Sequence, residues 1–502
     1  MISKVTSAVY EGIDGRRVDV EADVSSGLPN FNIVGLAATT VVESKDRIKA
    51  AIINSGFEYP RGRVTVNLAP AGFRKNGSHL DLAIAMAILE CEGYLDYNRT
   101  EQYGMIGELS LTGEVVKVNG VLPMMMALVN CGVRRVIVPN ENYYEAVMAP
   151  GAEVIPVASI AECVELINDD RPWRRPPVPA KRNSEEGQID FADIKGQENA
   201  KRAITIAVCG RHGLLMIGSP GCGKSMLASR IPTVMPEMSE QEMVDCTMIY
   251  SVAGKIDPAV GCIRTRPFRT PHSSISQAGL LGGGTYPVPG EITLAHNGVL
   301  FLDEVCEFKR KVIESLRVPL EEKYITHFRH GEAFRFPCNF LLIMAANPCM
   351  CGYYGDPEKP CTCTPTQIEA YQKKLSGPFR QRVDLEIRME KVEYAQISDD
   401  YGKSLSSVEM RAAIDGARAF ARGLGRTAPN ADLTDREITE YCRLTSEDEA
   451  FMQIAYDRLH LSPRTYKRTL RIARTVADLD RSPQIQRKHL AEALNYRRGD
   501  AA

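Results

Sequence analysis

Hydrophobic and polar positions recur with two periods along this chain, and the change of period marks where its architecture changes. Residues 63–68 alternate apolar and polar, the period of two that half-buries a strand. Thr40 and Glu43 stand in capping-box spacing ahead of Ile48, Ala51 and Ile52, which share one helical face, and Gly56 stops that helix. An apolar helix over 79–89 follows, then a strand-like stretch over 107–118, a helix over 122–130 and a strand over 133–139. Farther on, short apolar runs at 214–217, 299–302 and 340–346 predict buried strands, with helical segments over 198–209 and 226–231 on either side of the first. Residues 323–337 alternate and turn at His330 and Gly331, which predicts a β-hairpin. Beyond Val392 only the helical period remains, over 408–423, 435–441, 448–460, 463–478 and 487–495.

A chain of 502 residues is too long for one core, so about three domains are expected. The pattern assigns 1–168 to an α/β domain, 169–189 to a linker, 190–392 to a second α/β domain and 393–502 to a helical lid. Proline and cations crowd the linker, which predicts an extended, weakly ordered segment. Its Arg171, Arg174, Arg175, Lys181 and Arg182 leave two readings open, solvation of a linker or contact with nucleic acid. Lys and Arg number 61 against 63 Asp and Glu, so any nucleic-acid contact must come from local patches. No apolar run reaches the roughly 18 residues of a membrane helix, and the start lacks the basic and apolar sections of a signal peptide. A soluble cytoplasmic protein without membrane contact is expected. Its fourteen cysteines then read as thiols or metal ligands rather than disulfides.

The chemistry centres on Gly218, Ser219, Pro220, Gly221, Cys222, Gly223, Lys224 and Ser225, a G-x-x-x-x-G-K-[ST] loop between a strand and a helix. Glycines there let backbone N–H groups turn inward around phosphate oxygens, and the helix start adds positive charge. Lys224 is suited to the β and γ phosphates of ATP, and the Ser225 hydroxyl to Mg²⁺. The strand at 299–302 ends in Asp303, placed for Mg²⁺, and Glu304, placed to deprotonate the attacking water. The strand at 340–346 ends in Asn347, an amide that can bridge the acid and the water. Cys349, Cys351, Cys361 and Cys363 flank a turn-forming stretch; four thiolates suit a tetrahedral structural Zn²⁺, and unliganded reduced thiols are the alternative.

Residues 269–276, 282–284, 289–298 and 375–378 resemble the magnesium-chelatase-type AAA+ group, in which Asn347 takes the sensor-1 position. The run 107–139 resembles the proteolytic domain of Lon, of ribosomal-S5-like fold. Alignment puts Asp81 where Lon has its serine nucleophile and Leu122 where it has its lysine, so the hydroxyl and amine that peptide hydrolysis needs are both missing. Over nearly its whole length the chain resembles the YifB/ComM family of Mg-chelatase-like AAA ATPases. That resemblance implies a fold of Lon-like front domain, AAA+ core and helical lid, a hexameric ring, and a helicase driving branch migration of DNA in recombination. It also makes Arg382 the arginine finger, offered to the neighbouring subunit's site, and Arg464 the sensor-2 residue pointing at the γ phosphate. In related rings the hairpin at 323–337 faces the pore, where Lys323, His327, Arg329 and His330 could meet DNA phosphates; a solvated hairpin is the rival. Arg464, Lys467, Arg468, Arg471 and Arg474 are expected to form one basic helical face. A porphyrin chelatase subunit and a protein-remodelling ring remain as competing readings.

Overall fold

The computed structural model describes residues 2–169, 172–176, 189–329, 331–375, 377–380, 382–392 and 404–496. The front of the chain builds a seven-stranded mixed sheet from β1 (Ile2–Glu11), β2 (Asp14–Ser25), β3 (Asn30–Val34), β4 (Arg63–Ala69), β5 (Tyr103–Met105), β6 (Arg135–Pro139) and β7 (Glu153–Val157). Its order is β3-β4-β2-β1-β5-β6-β7, antiparallel at β1–β2 and β2–β4 and parallel elsewhere. Strand β2 buries Val18, Val20 and Ala22 in alternation with Arg17, Asp19 and Glu21, which are partly exposed. Helix α1 (Thr39–Asn54) presents Ile48, Ala51 and Ile52 to the sheet. Helix α2 (Asp81–Cys91) is buried on nearly every side, which is why its sequence is apolar all round rather than striped. Helix α3 (Val121–Asn130) covers a second, smaller core with Leu122, Met124, Met125 and Leu128.

Two local expectations fail here for tertiary reasons. The capping box does not form: Ala38 is the N-cap, and the Thr40 hydroxyl instead bonds the Asn76 side chain at 2.9 Å. The start of the linker is also less loose than its composition implies. Trp173 packs on Tyr143 with ring centroids 6.0 Å apart, and the Tyr144 hydroxyl donates to the Pro176 carbonyl at 2.8 Å. Arg171, Lys181 and Arg182 lie outside the described residues.

The second sheet is parallel throughout. Its strands are β8 (Leu214–Gly218), β9 (Phe268–Arg269), β10 (Val299–Leu302), β13 (Leu341–Ala346) and β14 (Leu385–Met389), in the order β9-β10-β13-β8-β14. Hairpin strands β11 (Tyr324–Arg329) and β12 (Glu332–Pro337) stand apart from it. Because β8 sits between β13 and β14, the turn after Gly218 opens next to the ends of strands that arrive from far along the chain, the place where such sheets bind ligands.

Helices α4 (Glu198–Gly210) and α5 (Lys224–Val234) share one hydrophobic core with lid helices α7 (Ser407–Gly423), α8 (Asp435–Tyr441), α9 (Ser446–Arg458), α10 (Pro463–Leu479) and α11 (Arg487–Asn495). Ile204, Leu227, Ile414 and Ile472 belong to that single cluster, so the lid borrows the core of its neighbour. Helix α6 (Glu240–Val252) reaches the front domain, where Gly120 N–H donates to Ser251 O at 3.1 Å and the Ser251 hydroxyl donates to Glu145.

The basic face expected on α10 forms in part: Arg464, Lys467, Arg468 and Arg471 line one open pocket with Asp435, and Arg474 is the correction. Arg474 is 1% exposed and chelates Asp478 and the carbonyls of Ser482 and Pro483, while Lys467 pairs with Asp435 at 2.6 Å. Arg426 and Arg474 both meet the buried Asp478, so these cations neutralise an interior acid instead of facing solvent.

Candidate nucleotide site

Four segments separated in sequence converge at the end of β8. Gly221 and Gly223 adopt positive φ of 83° and 89°, and a Cβ at either would meet nothing within 4 Å, so the concave side of the loop is open. Helix α5 starts at Lys224 behind Gly223 with no side-chain cap, which leaves its first N–H groups available to an anion. Lys224 is nearly buried, and its Nζ donates to Gly218 O at 2.6 Å, Ser219 O at 3.0 Å and Asn347 Oδ1 at 3.1 Å. The Ser225 hydroxyl donates to Asp303 Oδ2 at 2.6 Å. Hydroxyl and carboxylate oxygens side by side are the hard donor set that Mg²⁺ takes along with phosphates, so the residues fit ATP and Mg²⁺. Glu304 sits in the left-handed region at φ 47°, one step past the strand, and its N–H donates to Asp303 Oδ1 at 2.9 Å. That conformation is uncommon for a residue with a side chain and is found at functional turns.

The two arginines assigned from sequence lie together. Arg382 bonds Glu321 Oε1 at 2.7 Å, and Arg464 reaches the same oxygen at 3.2 Å. Desolvation pushes the Glu321 carboxyl up, but Arg382 and then Arg464 outweigh it and hold the group below the usual carboxylate range. Glu321 escaped the sequence reading because its partners are 61 and 143 positions away and nothing local distinguishes it from Glu322. Gln197, likewise unforeseen, takes a left-handed turn and ties Cys222 O at 3.2 Å to Glu390 O at 2.7 Å beneath the loop.

The hairpin residues have internal partners. Lys323 pairs with Asp432 at 3.1 Å, and His327 contacts Leu281 O at 3.2 Å. Arg329 is exposed and donates to Gly284 O at 3.0 Å; His330 lies outside the described residues. Phe328, beside Arg329, is 70% exposed.

Just past Asn347, the sulfurs of Cys349, Cys351, Cys361 and Cys363 all lie within 4.8 Å of one another. Three of the pairs measure 3.3, 3.5 and 3.7 Å. Zn–S bonds of about 2.3 Å put tetrahedral ligands about 3.8 Å apart, so the cluster fits the ion. Amides of Tyr353 and Thr362 hold the Cys351 thiol down at about 5. Cys361 goes the other way: the Cys363 amide lowers it, but desolvation and the neighbouring Cys351 and Cys349 push it up to about 12. The Cys351 thiolate forms readily while Cys361 and Cys363 resist, which is the electrostatics a cation resolves.

In the front domain Asp81 opens α2, 1% exposed, and is clamped by Arg47 at 2.7 Å. Burial pushes its carboxyl up to about 7 against the downward pull of Arg47. Leu122 is wholly buried in α3.

Residues 190–397 match the family described as magnesium chelatase, subunit ChlI; residues 20–142 match subunit ChlI of Mg-chelatase; residues 404–497 match its C-terminal family. The protein YifB of Escherichia coli is 39% identical over 499 residues, covering 99% of this chain and 97% of the relative. Competence protein ComM of Haemophilus influenzae is 38% identical over 497 residues, 98% of this chain and 97% of the relative. Lon protease 2 of Bacillus subtilis is 30% identical over 155 residues, 27% of each chain.

Proposed function

The chain belongs to the YifB/ComM family of magnesium-chelatase-like AAA+ ATPases, and from that premise we propose that it is an ATP-driven motor on DNA. It works as a homohexameric branch-migration helicase in recombination or transformation, on single-stranded or branched DNA. The observation carrying the ATPase part is the meeting of Lys224 with Asn347 and of Ser225 with Asp303 at one opening.

Lys224 exchanges the carbonyls of Gly218 and Ser219 for phosphate oxygens, a gain because charge-assisted bonds to an anion are stronger than bonds to neutral carbonyls. Ser225 and Asp303 would hold Mg²⁺, which offsets phosphate charge. Glu304 takes the proton of the attacking water and Asn347 orients it. Arg382 and Arg464 are held together by Glu321; Arg382 is presented to the triphosphate of the neighbouring subunit, and Arg464 serves as the sensor-2 residue that points at the γ phosphate. The four-cysteine cluster holds one structural Zn²⁺.

The DNA part is supported by the family and by the exposed Phe328 and Arg329 at the hairpin tip. ATP turnover of the purified protein is measured alone and with single-stranded, double-stranded and branched DNA. Stimulation that Arg329→Ala removes supports the helicase reading; equal turnover with every DNA form would leave a protein-remodelling ring.

A further inference from the structure

Residues 350–364 form the longest irregular stretch near the nucleotide site, and apolar packing does not hold them. Within that stretch only Gly352 is buried, while Met350 and Tyr354 are 66% and 49% exposed. A segment with so little core keeps one conformation only if something else staples it. Its staple is the sulfur cluster, reinforced by two N–H···S contacts of 3.4 Å from the amides of Cys351 and Cys363.

The outer side of this stretch leans on the phosphate loop. Gly352 has φ 88°, and a Cβ there would fall 2.7 Å from Pro220 Cδ and 2.8 Å from Cγ, so the backbone rests directly on that ring. Asp356, turned by the amides of Glu358 and Lys359 at 3.0 Å each, closes the turn that follows Gly352. At its other end the stretch begins three residues after Asn347, the residue whose amide oxygen meets Lys224. Pro348 O is fixed by Gln372 at 3.2 Å. Both halves of the phosphate cradle, the loop and the Asn347 amide, are therefore supported by one small unit that the cysteines close.

We propose that zinc held by Cys349, Cys351, Cys361 and Cys363 buttresses the phosphate loop through the Gly352–Pro220 contact, so that metal occupancy sets nucleotide affinity. The inference rests on the ATPase and zinc readings and adds a coupling between the two sites. Without the ion four crowded sulfurs lose what draws them together, the loop relaxes, and Pro220 and Asn347 lose their support.

The test uses the full chain as purified. Elemental analysis is expected to give about one zinc per chain. A zinc chelator, followed by dialysis into Mg²⁺ buffer, is expected to raise the dissociation constant of a fluorescent ATP analogue about tenfold, and added Zn²⁺ to reverse it. Gly352→Ala keeps all four cysteines but sets a Cβ 2.7 Å from Pro220 Cδ; it is expected to keep its zinc while binding the analogue several-fold more weakly, a split that general misfolding does not produce. Cys131→Ser, at an exposed cysteine outside the cluster, is expected to change neither quantity. Zinc present but removable without change in affinity overturns the coupling; protein that neither retains nor takes up zinc overturns the site. Zinc-replete protein that binds no nucleotide overturns the ATPase reading instead, and the coupling falls with it.

Discussion

The pocket around Lys224 and the pocket around Asp81 are built from similar parts and serve opposite ends. Each places a charged residue at the start of a helix, among turns made by glycine. In the first, Lys224 is held by backbone carbonyls and an amide, partners it can leave, and the glycine loop is open on its concave side. In the second, Asp81 is held by a guanidinium, and the glycine beside it has no spare room: a Cβ at Gly107 would fall 2.7 Å from Val115 Cγ1 and 3.3 Å from Leu82 Cδ2. A charge with exchangeable neutral partners is poised for a ligand. A charge already neutralised in a closed space is part of the core. Lon protease 2 is alike over 155 residues, and in the fold of this chain Asp81 is part of the core.

Substitutions break this comparison in order of size. In the open pocket, Arg382→Ala is expected to lower ATP turnover about 10³-fold while nucleotide affinity stays within a few-fold, as read by steady-state hydrolysis beside equilibrium binding. Glu304→Gln is expected to stop hydrolysis by a factor of about 10² to 10⁴ with binding retained; normal turnover would show that another group activates the water. Lys224→Ala is expected to weaken nucleotide binding about a hundredfold, since two or more charge-assisted bonds disappear. Equal affinity of this variant and the parent would remove the basis of the comparison.

Effects in the closed pocket are smaller and appear in stability. Asp81 has a folded-state value near 7, above the ordinary 3.8, so its contribution to stability is complete below about pH 4 and is lost as pH rises through about 7. Thermal midpoints recorded across that window should fall more steeply for the parent than for Asp81→Asn, which has no proton to lose. Parallel slopes would mean that Arg47 keeps the carboxylate ionised throughout. ATP turnover near neutral pH should change less than in any of the pocket variants above.

The two pockets were not equally legible. The phosphate loop could be read because its chemistry is local: glycines, lysine and serine at fixed spacing dictate their own backbone, and Asp303, Glu304 and Asn347 follow apolar runs that announce buried strands. The lid helices were legible for the same reason, with α7, α8, α10 and α11 within a residue of the pattern and α9 displaced by two. Strands β1 and β2 were overlooked, although Val18, Val20 and Ala22 carry the period of two that would have revealed them. Glu321 and Gln197 had no such signal, because their roles exist only in contacts across the fold.

By itself the sequence determined the lid helices and the motif of the phosphate loop, since both depend on neighbours within a few residues. Only the tertiary structure decided which charges are exchangeable and which are spent. The spacing that put Arg474 on a cationic face of α10 could not reveal Asp478 beside it, and two arginines 82 positions apart could not be known to share Glu321. Burial and the placement of counter-charges are properties of the closed chain, and they separate a residue held ready for a ligand from one consumed in holding the protein together.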